Sequence, residues 1–237
     1  FEVEKLKSKP LFDKKDFLEK TLLSKVHFLV KEVVLNQMKN EKWEDKKRLF
    51  TLALETKNVQ LRQTVAALLN SIPASFRTEY ETLLDDKSYQ TQEIALYNLW
   101  NNFPEQRIAY IEKSKKWMGF NDYNLRTLWL TLALSTPNYA IDKVALANEL
   151  IPYSSINYEA NTRQNALEKL LAFKIINDRV LENLVQATTH HMWQFTKFGR
   201  DNIRKLLKNP EMRVSLERIL PNLNEAEQFQ LNRLLKE

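Results

Sequence analysis

Few residues in this sequence could do chemistry. There are three histidines, His27, His190 and His191, and no cysteine. A zinc site needs three or four converging His, Cys or carboxylate ligands. Adjacent His190 and His191 would point roughly 100° apart on a helix, a poor ligand pair, and no H-E-x-x-H motif is present. The doublet is expected instead as a partly buried, hydrogen-bonded pair at a helix end. Zero cysteines exclude disulfides, thiol nucleophiles and thiolate metal sites, a pattern compatible with a cytosolic or a periplasmic home. No G-x-S-x-G elbow supports hydrolysis. The carboxylate pairs Asp85-Asp86 and Glu44-Asp45 fall where helix ends and first turns are expected, so capping and dipole compensation account for them. Among the aromatic residues most belong in a core. The run Met192-Trp193-Gln194-Phe195, at a helix junction beside the two histidines, is the best exposed candidate for a binding surface. The residues expected to face a peptide or partner are therefore His190, His191, Trp193, Gln194, Lys197 and Arg200. No residue is assigned to catalysis or to a metal.

The elements that must carry these residues are helices. The chain has two glycines, Gly119 and Gly199, where average usage gives roughly 17. Hairpins, dinucleotide fingerprints and phosphate loops need glycine for positive φ or close backbone approach, and so lose their footing. A 43% hydrophobic content is ample for a core, and no run approaches the length of a membrane span. A basic surplus of 36 to 30 is small, and argues against nucleic acid as the partner.

A repeat organises the helices. Lys31, Arg62, Gln92, Arg126, Arg163 and Lys197 recur at spacings of 31, 30, 34, 37 and 34 residues. Three residues past each anchor come Val34, Val65, Ala95, Trp129 and Ala166, and seven past come Met38, Leu69, Leu99, Ala133 and Leu170, one helical face. Pro73, Pro104 and Pro137 follow their anchors by 11, 12 and 11 residues, where one helix should stop and the next begin. Outer helices are expected near 45–56, 75–84, 105–117, 140–150 and 179–190. The resulting expectation is an all-α, right-handed superhelical α-solenoid of about six HEAT-like helix pairs. Its units span 12–40, 43–72, 74–103, 104–136, 139–174 and 178–209, with a C-terminal cap at 210–237. In the sixth unit Arg200 and Arg204 replace the apolar positions, as a closing unit requires.

Two resemblances add to this. The segment Leu61-Arg62-Gln63-Thr64-Val65-Ala66-Ala67-Leu68 resembles the second helix of HEAT and armadillo-type repeats, in which the basic residue hydrogen-bonds toward a neighbouring unit. The segments 40–50, 84–89 and His190-His191-Met192-Trp193-Gln194-Phe195 look like the C-terminal helical region of bacterial zinc aminopeptidases of the aminopeptidase N and leukotriene hydrolase family. That resemblance implies a start inside a longer polypeptide, consistent with Phe1 in place of Met and with no signal peptide. It also implies that zinc, general base and water belong to a preceding catalytic domain, with this chain walling the active-site cavity and shaping peptide access. No cofactor is expected in the chain itself. The implied partners are that catalytic domain and the peptide substrate, with no membrane. Some relatives carry R-x-K-F-x-R where this chain has Met192-Trp193-Gln194-Phe195-Thr196-Lys197, so Met192 and Gln194 stand in place of two cations. A free-standing protein- or peptide-binding scaffold is the alternative. A DNA-binding array resembling the alkylpurine glycosylases is the third.

Overall fold

In the computed structural model, which describes residues 11–119, 124–139 and 142–237, the chain is all-α. Fourteen α-helices and five short 3-10 turns occur among the described residues, and no strand. They form two compact units, 1–114 and 115–237. The boundary falls within the fourth expected helix pair.

In the first unit, α1 (Leu11–Leu23), α2 (Phe28–Gln37), α3 (Trp43–Glu55) and α4 (Val59–Leu68) are followed by α5 (Arg77–Glu81), α6 (Tyr89–Asn102) and α7 (Arg107–Ser114). Consecutive helices pack as pairs, and alternate helices also touch: α1 on α3 on α5, and α2 on α4 on α6. This layering follows from the sequence periodicity. Val34, Met38, Val65, Leu69, Ala95 and Leu99, at the two apolar positions after each anchor, are all buried. Each fully buried Val, Leu or Met side chain among them contributes about 1.5–3 kcal/mol. Polar caps start the inner helices: the Asn58 side chain accepts the Leu61 N–H at 3.1 Å, and the Ser88 hydroxyl accepts the Thr91 N–H at 3.3 Å. A buried amide cluster in this unit is closed on itself. Asn98 Nδ2 donates to Ala66 O at 3.1 Å and to the Tyr80 hydroxyl at 2.9 Å, and that hydroxyl donates to Ala66 O at 2.9 Å.

The second unit repeats the plan with α8 (Asn124–Ser135), α9 (Lys143–Leu150), α10 (Ala160–Ala172), α11 (Asp178–Ala187), α12 (Trp193–Leu206), α13 (Pro210–Ile219) and α14 (Glu225–Lys236). Here α8, α10, α12 and α14 touch in succession, and α11 packs on α13. Trp129, Ala133, Ala166 and Leu170 are buried at the expected positions. The outer helix expected to begin at 140 starts at Lys143 after an Asp142 cap; residues 140–141 lie outside the described set. Gly199 has a steric role here. A Cβ on it would meet Ala187 Cβ and Thr188 N at 3.0 Å, so glycine lets α12 lie against the end of α11.

Candidate binding cleft

The anchor residues do one job in common. A helix C-terminus leaves carbonyls without intrahelical donors and carries partial negative charge, and most anchors donate to such a carbonyl. Arg62 Nη1 reaches Thr56 O, the cap of α3, at 2.7 Å, and Gln92 Nε2 reaches Asp86 O at 2.9 Å. Arg126 Nη1 reaches Lys115 O at 2.7 Å. Arg163 Nε reaches Ser154 O, in the 3-10 turn after α9, at 3.4 Å. In the last pair Lys197 instead pairs with Asp201 at 2.9 Å, and Arg200 Nη2 reaches Thr188 O, the cap of α11, at 3.3 Å.

Two of the three anchor arginines also hold a carboxylate. Arg62 Nε donates to Asp86, 24 residues on. Arg126 grips Glu149, 23 residues on, with Nε on one oxygen and Nη2 on the other at 2.8 Å. The residue 23 positions after Arg163 is Gln186. Arg163 is only 3% exposed, its Nη2 has no hydrogen-bond partner, and the Gln186 Oε1 is buried and unpartnered too. No carboxylate among the described residues lies within 4.0 Å of this guanidinium. Burial pulls its pKa below the usual arginine value, opposed by the Glu227 carboxylate. Its carbon stands 5.0 Å from the centroid of the Phe195 ring.

Arg163 and Gln186 line an open cleft of about 920 Å³ in the second unit. Three helix N-termini converge on it. Glu159 and Ala160 begin α10, His191 and Met192 lead into α12, and Asn224 and Glu227 open α14. No side chain caps α10 or α12, whereas α14 has a full capping box between Asn224 and Glu227. Each end presents backbone N–H groups and partial positive charge.

The histidine doublet lies in the turn between α11 and α12, not in a helix. This corrects the expected 100° divergence: in the turn the two rings lie against each other, tilted, with centroids 4.1 Å apart and planes at 31°. His190 Nδ1 accepts the Met192 N–H at 3.1 Å, and its carbonyl accepts the Thr196 hydroxyl at 2.5 Å. A lone pair on Nδ1 requires the neutral tautomer with hydrogen on Nε2. Burial, His191 and Arg163 together lower the His190 pKa.

Of the expected surface residues, His190 and His191 line the cleft; Trp193, Gln194, Lys197 and Arg200 do not. Trp193 is 65% exposed on α12, and Arg200 Nε is buried without a partner. No group of three or more His, Cys, Asp or Glu side chains placed to hold a metal ion occurs among the described residues. Sequence reasoning gave Arg163 only as a repeat anchor, and passed over Gln186, Asn224 and Glu227. The available signal was the acid that follows Arg62 by 24 residues and Arg126 by 23, and becomes an amide 23 residues after Arg163. Compared with models of known protein families and with curated protein sequences, the chain matches none.

Proposed function

We propose that the helix pairs of each unit are HEAT-type repeats stacked with a right-handed twist. In this proposal the chain is the noncatalytic C-terminal helical domain of a larger zinc aminopeptidase, and its cleft is a surface past which peptide substrate moves. The observation that supports this reading is where the cleft lies: His190, His191 and Met192, from the segment resembling that family, form one side of it. Zinc and the hydrolytic water would belong to the adjoining catalytic domain, and the residues here would shape access and fit. Reading the encoding gene on the 5′ side of the Phe1 codon tests the assignment. An H-E-x-x-H sequence followed by a distant Glu is the expected result, and its absence removes the peptidase parent.

One observation favours an adjoining domain over a free-standing scaffold. Leu29, Val30 and Val33 of α2 are exposed, together with Leu23 and Val26. Apolar surface of this kind marks contact with another protein surface. Co-purification of one stable heterologous partner with the full chain would favour the scaffold instead.

A further inference from the structure

We propose that the cleft of the second unit is an oxyanion-binding site, filled by a phosphate or carboxylate group of a larger ligand, with Arg163 as its charge partner. The proposal rests on the cleft being a binding surface and does not depend on a peptidase parent. At the equivalent repeat positions Arg62 is neutralised by Asp86 and Arg126 by Glu149. The chain places Gln186 where the third acid would stand, and leaves Arg163 buried, charged and without a carboxylate within ion-pair distance. A buried charge without a contact ion pair is costly, so the place where Asp86 and Glu149 stand beside their arginines is available to a ligand's oxyanion.

Two further features point to the same chemistry. The starts of α10 and α12, which no side chain caps, lie at the cleft with their backbone N–H groups and positive dipole ends, whereas the start of α14 there is closed by its own capping box. His190, fixed through Nδ1, has its Nε2–H as a remaining donor, with His191 against it. Of the two acids at the cleft, Glu159 is solvent-exposed, and the buried Glu227, whose charge favours the Arg163 cation from beyond ion-pair distance, accepts the Asn224 N–H at 3.1 Å in the capping box. The volume of about 920 Å³ exceeds that of a lone phosphate several-fold. The oxyanion is therefore one end of a ligand whose body lies along Tyr158, Ile156 and Met192.

Calorimetric titration of the full chain tests this with three probes at constant ionic strength: inorganic phosphate, a short peptide with a free C-terminal carboxylate, and the same peptide as its C-terminal amide. Saturable binding of phosphate or of the free-acid peptide is expected, weakened about tenfold or more by Gln186→Glu, which supplies the counter-charge internally. Arg163→Met should weaken it likewise, and a thermal melt reports whether that variant folds. Preference for the free acid over the amide assigns a carboxylate ligand; phosphate binding with no such preference assigns a phosphate ligand. Absence of saturable binding by either anion at roughly 10 mM overturns the proposal, as does binding that Gln186→Glu leaves unchanged. Equal binding of acid and amide peptides, insensitive to Gln186→Glu and without phosphate binding, would leave a peptide surface standing and remove the anion site alone.

Discussion

Arg62 in the first unit and Arg163 in the second occupy one repeat position and donate to the end of the helix before them, yet they differ in charge balance. Arg62 is neutralised by Asp86 and also donates to the Thr56 carbonyl. Arg163 has one long bond to Ser154 O and a free Nη2. Arg126 of the second unit behaves like Arg62, with a forked pair to Glu149. The contrast therefore belongs to the local pair and not to the half of the molecule it sits in. A repeat position that serves stability in two places can be freed for binding in a third by exchanging one acid for an amide.

Imposing the second pattern on the first should have the largest effect. Asp86→Asn keeps an acceptor for the Ser88 N–H, now at 2.9 Å from Oδ1, but removes the charge beside Arg62. Breaking a buried pair from one side costs about 3 kcal/mol or more, measurable by urea unfolding. A loss under about 0.5 kcal/mol would class the pair with exposed ones and dissolve the comparison. Next is Gly199→Ala. Its methyl would press on Ala187 and Thr188 at 3.0 Å, and a loss of about 1–3 kcal/mol is expected. Hydrogen exchange should locate the added opening at the α11–α12 turn; unchanged protection there would show that the turn yields without cost. The converse of the first substitution is smaller. Gln186→Glu should stabilise by about 1 kcal/mol, because a charged acceptor replaces an unpartnered amide oxygen in the cleft that Arg163 also lines. A decrease in the melting temperature would contradict that.

The helical layers were legible in the sequence because burial there depends on periodicity alone. Val65, Leu99, Trp129 and Leu170 are buried as their spacing requires. The cleft was less legible, because it is made by convergence. The starts of α10, α12 and α14 are up to 65 residues apart in the chain, from Glu159 to Asn224. The sequence predicts His190 and His191 as a partly buried, hydrogen-bonded pair at a helix end; in the turn that holds them His190 is half-buried and hydrogen-bonded, and His191 is exposed. Trp193 drew notice as an aromatic, yet one residue past Met192 the first turn of α12 carries it away from the cleft lining. The exchange of acid for Gln186 has no local signature and is visible only against Asp86 and Glu149.

The smallest predicted effect is on pH dependence, at the His190 turn. His190 has a lowered pKa in the folded chain, caused first by burial, then by His191 and Arg163. In the unfolded chain it takes up its proton near pH 6.5. Between that pH and its lower folded value the unfolded state holds more protons, so stability falls as the pH drops through this window and is fully present above it. Protonating Nδ1 would also break the bond from the Met192 N–H. His190→Gln keeps a side-chain acceptor but cannot titrate, and so should flatten the stability profile just below pH 6.5 while leaving the neutral-pH value nearly unchanged. An unaltered slope below pH 6.5 in His190→Gln would show that the turn does not sense protons.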